Sequence, residues 1–416
     1  MKFGTELMRQ AEALGQFTED PPLLTRTYLS PQHRQAGNYL IGLMQRAGMT
    51  ANFDALGNIV GRYEAADPAA PVVMTGSHQD SVRNAGKFDG LFGILTAIAC
   101  VKDLHERGRK LPYTLEIVGF GDEEGVRFGV ALMGSKAMAG SFEPSWLDKA
   151  DDAGVTLRRA LADFGGDPDA WPSLGRRGRV AAYVESHIEQ GPVLLNVGLP
   201  VGVVTAIAGG SRIRVAVKGL AGHAGTVPMG SRQDALAAAS EMVLFVEKHC
   251  ETHEGLVGTV GKLAVLPGAI NVIPQEVEFT IDVRSGDDAL RHAAVAAFQS
   301  AFEEIAARRR VAVVAAPFYA VDAAPCDAAL QEQFAQSIAA HGIPVRRLPS
   351  GAGHDAMVFP AICPMAMLFV RCGNNGISHH PDETMTAADA DTATSVLLHF
   401  LEHFDAAAFA ATTHAA

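Results

Sequence analysis

Histidine and carboxylate residues gather at four places where an apolar run meets glycine. They are His78 with Asp80 and Asp89, the acids Asp122, Glu123 and Glu124, His187 in Glu-Ser-His-Ile-Glu-Gln-Gly, and His379–His380 before Pro-Asp-Glu. Residues 72–74 and 114–120 read as buried strands leading into the first two of these groups. Three adjacent acids at a strand end are costly if buried without partners, yet glycines and apolar flanks turn this stretch inward. A cation resolves that conflict by inverting the local charge balance. Asp89 precedes an apolar stretch of helical length, 91–101, where it can cap the helix or hold a cation. Asp80, two residues from His78, is spaced to orient its imidazole from behind. Four such clusters on one chain predict a metal centre with two divalent ions. Imidazole and carboxylate donors without cysteine suit Zn, Mn, Co or Ni.

The motifs TGSHQDSV, FDG, DEEGVRF, HIEQGP, GHAGTVPM, NVIP, DVR, GAGHDA and SHHPDE follow one another between residues 75 and 383. In that order they resemble the hydantoinase/carbamoylase family of amidohydrolases, dinuclear metal enzymes with a dimerisation domain. The resemblance implies that His78 and His187 hold one ion, that Glu124 and His379 hold the other, and that Asp89 bridges them. His380 adjoins His379, and the family's Ser-His-x-Pro pattern selects His379. Glu123 resembles the family's general base, expected to point away from Glu124 and to stay free of metal. His223 resembles its oxyanion-stabilising residue, and Gln190 and Asn271 its substrate contacts. Arg284, at the end of a strand, is suited to a two-point grip on a substrate carboxylate. The loop 351–355, with Gly351 and Gly353, offers backbone N–H groups to the same anion.

These residues need a scaffold that delivers strand ends to one place. Helices are expected at 5–17 and 31–48, with strand, turn and strand at 51–61. Strands and helices then alternate to about residue 210, the pattern of a mostly parallel α/β sheet with helices on both faces. Residues 144–180 read as surface helices and a loop. After Gly209–Gly210 the order becomes β-α-β-β-α-β, with strands at 212–220, 255–266, 271–284 and 310–319. Its first helix, from residue 231, carries a Ser231–Asp234 capping box. That order is ferredoxin-like. The expected domains are therefore 1–210 and 327–416 for the metal site, with a dimerisation or lid domain inserted at 211–326. The tail from residue 406 is expected to fray.

At 416 residues the chain exceeds one ordinary domain. A net charge of −12 argues against nucleic acid and anionic membranes as partners. No apolar run approaches the ~18 residues of a membrane span. The first residues lack an apolar core of signal-peptide length, and the five cysteines show no close pairing, so a reduced, cytoplasmic setting is expected. The expected activity is hydrolysis of a linear C–N bond in a small ureido substrate bearing a carboxylate. N-carbamoyl-L-amino acids come first, with allantoate, β-ureidopropionate and ureidoglycolate as alternatives, in a homodimer with two metal ions per subunit. A non-catalytic metal-binding scaffold is the alternative of a different class.

Overall fold

The computed structural model describes residues 2–410. The chain divides into two compact units. The first runs to Thr205 and resumes over Cys326–Leu348 and from Ala352 onward. The second holds Ala206–Pro325 and Pro349–Gly351.

Six strands precede the change of pattern: β1 (Thr50–Phe53), β2 (Ile59–Tyr63), β3 (Val72–His78), β4 (Thr114–Phe120), β5 (Val180–Ile188) and β6 (Val201–Ile207). Four more, β7 (Gly209–Lys218), β8 (Leu256–Leu266), β9 (Glu276–Ser285) and β10 (Ala312–Val321), belong to the second unit. Three follow: β11 (Ala324–Pro325), β12 (Arg347–Ser350) and β13 (Met365–Val370). The large sheet runs β1-β2-β4-β3-β5-β13-β6, with β11 and β12 pairing along β6. Its centre is parallel, as expected: β3 pairs parallel with β4 and β5, and β13 with β5. Its flanks are antiparallel. Every residue of β4, β5 and β13 is buried, so these strands are covered on both faces and carry apolar residues without alternation. The helix Leu91–Glu106 is apolar on nearly all sides and packs on β3, β4 and β5.

The parallel centre explains where chemistry can sit. Ligands of α/β sheets gather beyond the carboxyl ends of the strands. His78 is the last residue of β3, His187 lies one residue from the end of β5, and Asp122–Glu124 follow β4. Residues 144–180 are more than surface. Trp146, Leu157, Leu161 and Phe164 form a buried cluster with Tyr28 and Leu56.

The second unit is a four-stranded antiparallel sheet in the order β10-β7-β9-β8, the ferredoxin-like arrangement. Its central strands β7 and β9 bury alternate residues under the helices Ala235–Glu251 and Asp288–Arg309, around Val215, Met242, Phe279, Phe298 and Phe302. Two expectations need correction. The first helix is capped by Asp234, which accepts from the backbone N–H groups of Leu236 and Ala237, while Ser231 lies in a separate short turn. The strand expected from residue 271 begins at Glu276, because Pro274 has no N–H to give a ladder. No helix among the described residues is long and apolar enough to cross a membrane. All five cysteines are free and buried. The tail begins with a helical turn, Ala406–Ala410, and the remainder of that expectation lies outside the described residues.

Candidate metal centre

The turn after β3 is held from beneath by Arg26, which is buried. Its guanidinium donates to the carbonyl of Gln79 at 2.8 Å, and its backbone N–H donates to Ser81 Oγ at 3.0 Å. This sets His78 with Nδ1 3.0 Å from the Asp80 carbonyl oxygen and Nε2 3.6 Å from Asp89 Oδ1. His187 is set the same way: Nδ1 lies 2.8 Å from the Ile188 carbonyl and Nε2 3.4 Å from Asp89 Oδ1. A ring N–H given to a carbonyl turns the other nitrogen toward Asp89, and that nitrogen becomes the lone pair a metal ligand needs once its proton is absent. On the other side of Asp89, His379 Nε2 lies 3.1 Å from Oδ2 and 3.6 Å from Glu124 Oε1. One carboxylate is therefore shared by two donor groups, His78–Asp89–His187 and Asp89–Glu124–His379. Asp89 does not cap its helix; Gly90 occupies the cap position and no side chain closes it.

Asp80 acts differently from the expectation. Its carboxylate is 3.8 Å from the His78 ring and instead accepts the backbone N–H groups of Glu123 and Glu124, at 3.1 and 3.2 Å. It shapes the acidic turn, and its carbonyl orients His78. The side chains of Glu123 and Glu124 do not diverge either. Both bring an oxygen within 4.8 Å of a His78 nitrogen and of one another.

The donors fit a pair of divalent ions. Glu124 Oε1 is buried and has no hydrogen-bond partner, a costly state for a carboxylate that also has Asp89 and Glu123 oxygens close by. Burial pushes Glu124 up to about 7, opposed by His78 and reinforced by Asp89. Burial also lifts Glu123 well above the carboxylate range, against the pull of His78. Burial opposes ionisation of Asp89 too, but bonds from His379 and His78 outweigh it and hold this carboxyl well below its usual value. Burial lowers His187 to about 4, so its ring is neutral.

Gln190, expected on the substrate, donates Nε2 to both oxygens of Asp89 at 3.1 and 3.2 Å. Glu185 and Glu383 are buried acids that sequence reading did not assign. Glu185 lies two residues before His187 on β5, hence on the same face. It accepts from Ser77 Oγ at 2.7 Å and from the Tyr183 hydroxyl at 2.9 Å. Strand period alone could have flagged it. Glu383 accepts from the backbone N–H of Phe88 and from Ser378 Oγ.

His223, Asn271, Arg284 and Gly351 lie in the second unit and Gly353 in the first. His223 and Asn271 are brought side by side: His223 pairs with Val272, and the Ala224 N–H donates to the Asn271 carbonyl at 3.0 Å. Arg284 is already engaged. Nε and Nη2 donate to the two oxygens of Asp282 at 2.8 and 3.2 Å, and Nη1 donates to the Gly351 carbonyl at 2.9 Å. Gly351 thus turns its carbonyl, rather than an anion-binding N–H, toward the guanidinium.

Comparison with known proteins identifies the family. Residues 74–403 match the peptidase family M20/M25/M40. An N-carbamoyl-L-amino acid amidohydrolase of Geobacillus stearothermophilus is 39% identical over 95% of this chain and 97% of its own length. A probable allantoate deiminase of Oryza sativa subsp. japonica is 38% identical over 98% and 90%. The crystal structure of a hydantoinase/carbamoylase family amidase from Burkholderia multivorans superposes with a TM-score of 0.89 at 31% identity, covering 96% of this chain and 97% of that one. The chain belongs to the M20/M25/M40 peptidase family and, within it, to the hydantoinase/carbamoylase amidases.

Proposed function

We propose that this amidohydrolase cleaves N-carbamoyl-L-amino acids, with water, to the amino acid, ammonia and carbon dioxide, using two divalent ions per subunit. The observation that carries this reading is Asp89, one carboxylate facing two histidines through Oδ1 and a third through Oδ2. His78 and His187 would hold one ion, Glu124 and His379 the other. Two such ions would acidify water and polarise a carbonyl oxygen. Glu123 then takes the proton of the attacking water and returns it to the leaving nitrogen. Burial raises its carboxyl, the direction that favours a group carrying a proton between two transfers. His223 stabilises the developing oxyanion, Asn271 and Gln190 meet the ureido group, and Arg284 grips the carboxylate.

Allantoate is the second reading, favoured by the 38% identity to a probable allantoate deiminase. The two substrates differ beside the carboxylate, where one has a side chain and the other a second ureido group. Turnover of N-carbamoyl-L-methionine, N-carbamoyl-β-alanine and allantoate by enzyme loaded in turn with Zn, Mn, Co and Ni tests the choice. Efficient hydrolysis of allantoate with none of the carbamoyl compounds overturns the first reading. A homodimer through the second unit is part of the proposal, supported by the exposed Val257, Leu263, Val314 and Phe318 on edge strands β8 and β10. A cytoplasmic location is likewise proposed, on the strength of five unpaired cysteines.

A further inference from the structure

Glu383 lies four residues beyond His379 and is 5% exposed. It belongs to neither donor group. Its carboxylate is nonetheless fully used. Oε1 accepts the backbone N–H of Phe88 at 2.8 Å and of Asp89 at 3.2 Å, and Oε2 accepts from Ser378 Oγ at 2.6 Å. Ser378 adjoins His379, whose φ of 55° is left-handed and strained for a residue with a Cβ. The fit is close: a Cβ on Gly86 would come 2.2 Å from the Glu383 carboxyl carbon.

We propose that Glu383 is the positioning residue that joins the two donor groups, clamping the His379 loop onto the backbone of the shared Asp89. The inference rests on the two-metal reading above. Gln190 Nε2 also spans from Ser378 Oγ, at 3.4 Å, to the Asp89 carboxylate, but it holds a side chain, whereas Glu383 holds the Phe88–Asp89 backbone. Without the clamp, the His379 backbone can relax out of its left-handed conformation and withdraw a ligand. The two groups differ in what they would lose. His78 and His187 are held by strands and by carbonyl bonds at 3.0 and 2.8 Å, and their side chains are 4% and 1% exposed. His379 sits on a loop with a side chain 48% exposed. Loss of Glu383 should therefore weaken the Asp89–Glu124–His379 group and spare the buried one.

The test is stepwise metal binding, read as Co²⁺ absorption and as metal retained against graded chelator. Glu383→Ala should weaken the more labile ion by about 10- to 100-fold, the usual cost of removing a partner behind a ligand, and leave the tighter ion within about three-fold. Glu383→Gln can still accept both N–H groups and donate to Ser378, so it should recover most of the loss. Ser378→Ala, which cuts the Oε2 contact and the longer bond from Gln190 Nε2 but leaves both backbone N–H bonds, should give an intermediate weakening and serves if Glu383→Ala does not fold. Two ions bound by Glu383→Ala as tightly as by wild type, or equal weakening of both, overturns the inference. A wild-type protein that binds no second ion overturns the two-metal reading instead.

Discussion

Glu123 and Glu124 are chain neighbours with converging carboxylates, so their roles separate only by what each variant loses. Glu123→Gln should retain both ions and lose roughly 100- to 10,000-fold in kcat, the range for a removed proton shuttle. Glu124→Gln should release one ion. Metal analysis beside steady-state rates checks both, and full metal with matching activity in the two variants contradicts the assignment. Arg284 allows a second test, because Asp282 already neutralises and aims its guanidinium. Arg284→Ala should cut kcat/KM for a carboxylate substrate, by less than the loss of a fully buried charged pair because the guanidinium is partly exposed. The corresponding neutral amide should be turned over poorly by both proteins. The candidate donors that the structure brings together were legible because their types are diagnostic and their motifs local. Asp80 was misread because its carbonyl orients His78, and a backbone atom leaves no trace in residue type. Asp282 and Glu383 act through backbone groups or a neighbouring side chain, so chemistry alone did not single them out.

At the scale of elements, the central strands were readable from unbroken apolar runs, and the second unit from its β-α-β-β-α-β order. What was not readable was long-range packing. The stretch 144–180 carries many charges, yet its apolar residues meet Tyr28 and Leu56 across more than 80 positions of sequence. The helix Pro31–Arg46 shows the same dependence. His33 in its first turn is buried, neither ring nitrogen has a hydrogen-bond partner, and Tyr28 and Phe164 pack against it. Burial lowers its pKa from 6.5 to about 3. The unfolded chain therefore takes up a proton below pH 6.5 that the folded chain refuses, and stability falls as pH drops from 6.5 toward 3. The deficit reaches about 2 kcal/mol at pH 5. His33→Phe removes the titrating group and keeps the ring. Its melting temperature should fall less between pH 7 and 5 than that of wild type; parallel declines would clear His33 of the effect.

For the whole molecule, the proposed dimer predicts a light-scattering mass twice the 43.8 kDa chain at micromolar concentration. A monomer there refutes it. The order of strands carries another consequence. β13 lies between β5 and β6, yet some 160 residues, including the whole second unit, intervene before it is made. His379 and Glu383 come later still. A ribosome thus releases the second unit, with its own core, before the first can close its sheet. Until β13 arrives, β5 and β6 present unpaired edges, which invite association with other chains. Pulse-labelled hydrogen exchange during refolding should protect β7 and β9 before β13. On the proposed assignment, the ion of the Asp89–Glu124–His379 group can be captured only once His379 is made, and nascent chains stalled before residue 379 should aggregate rather than accumulate as soluble protein.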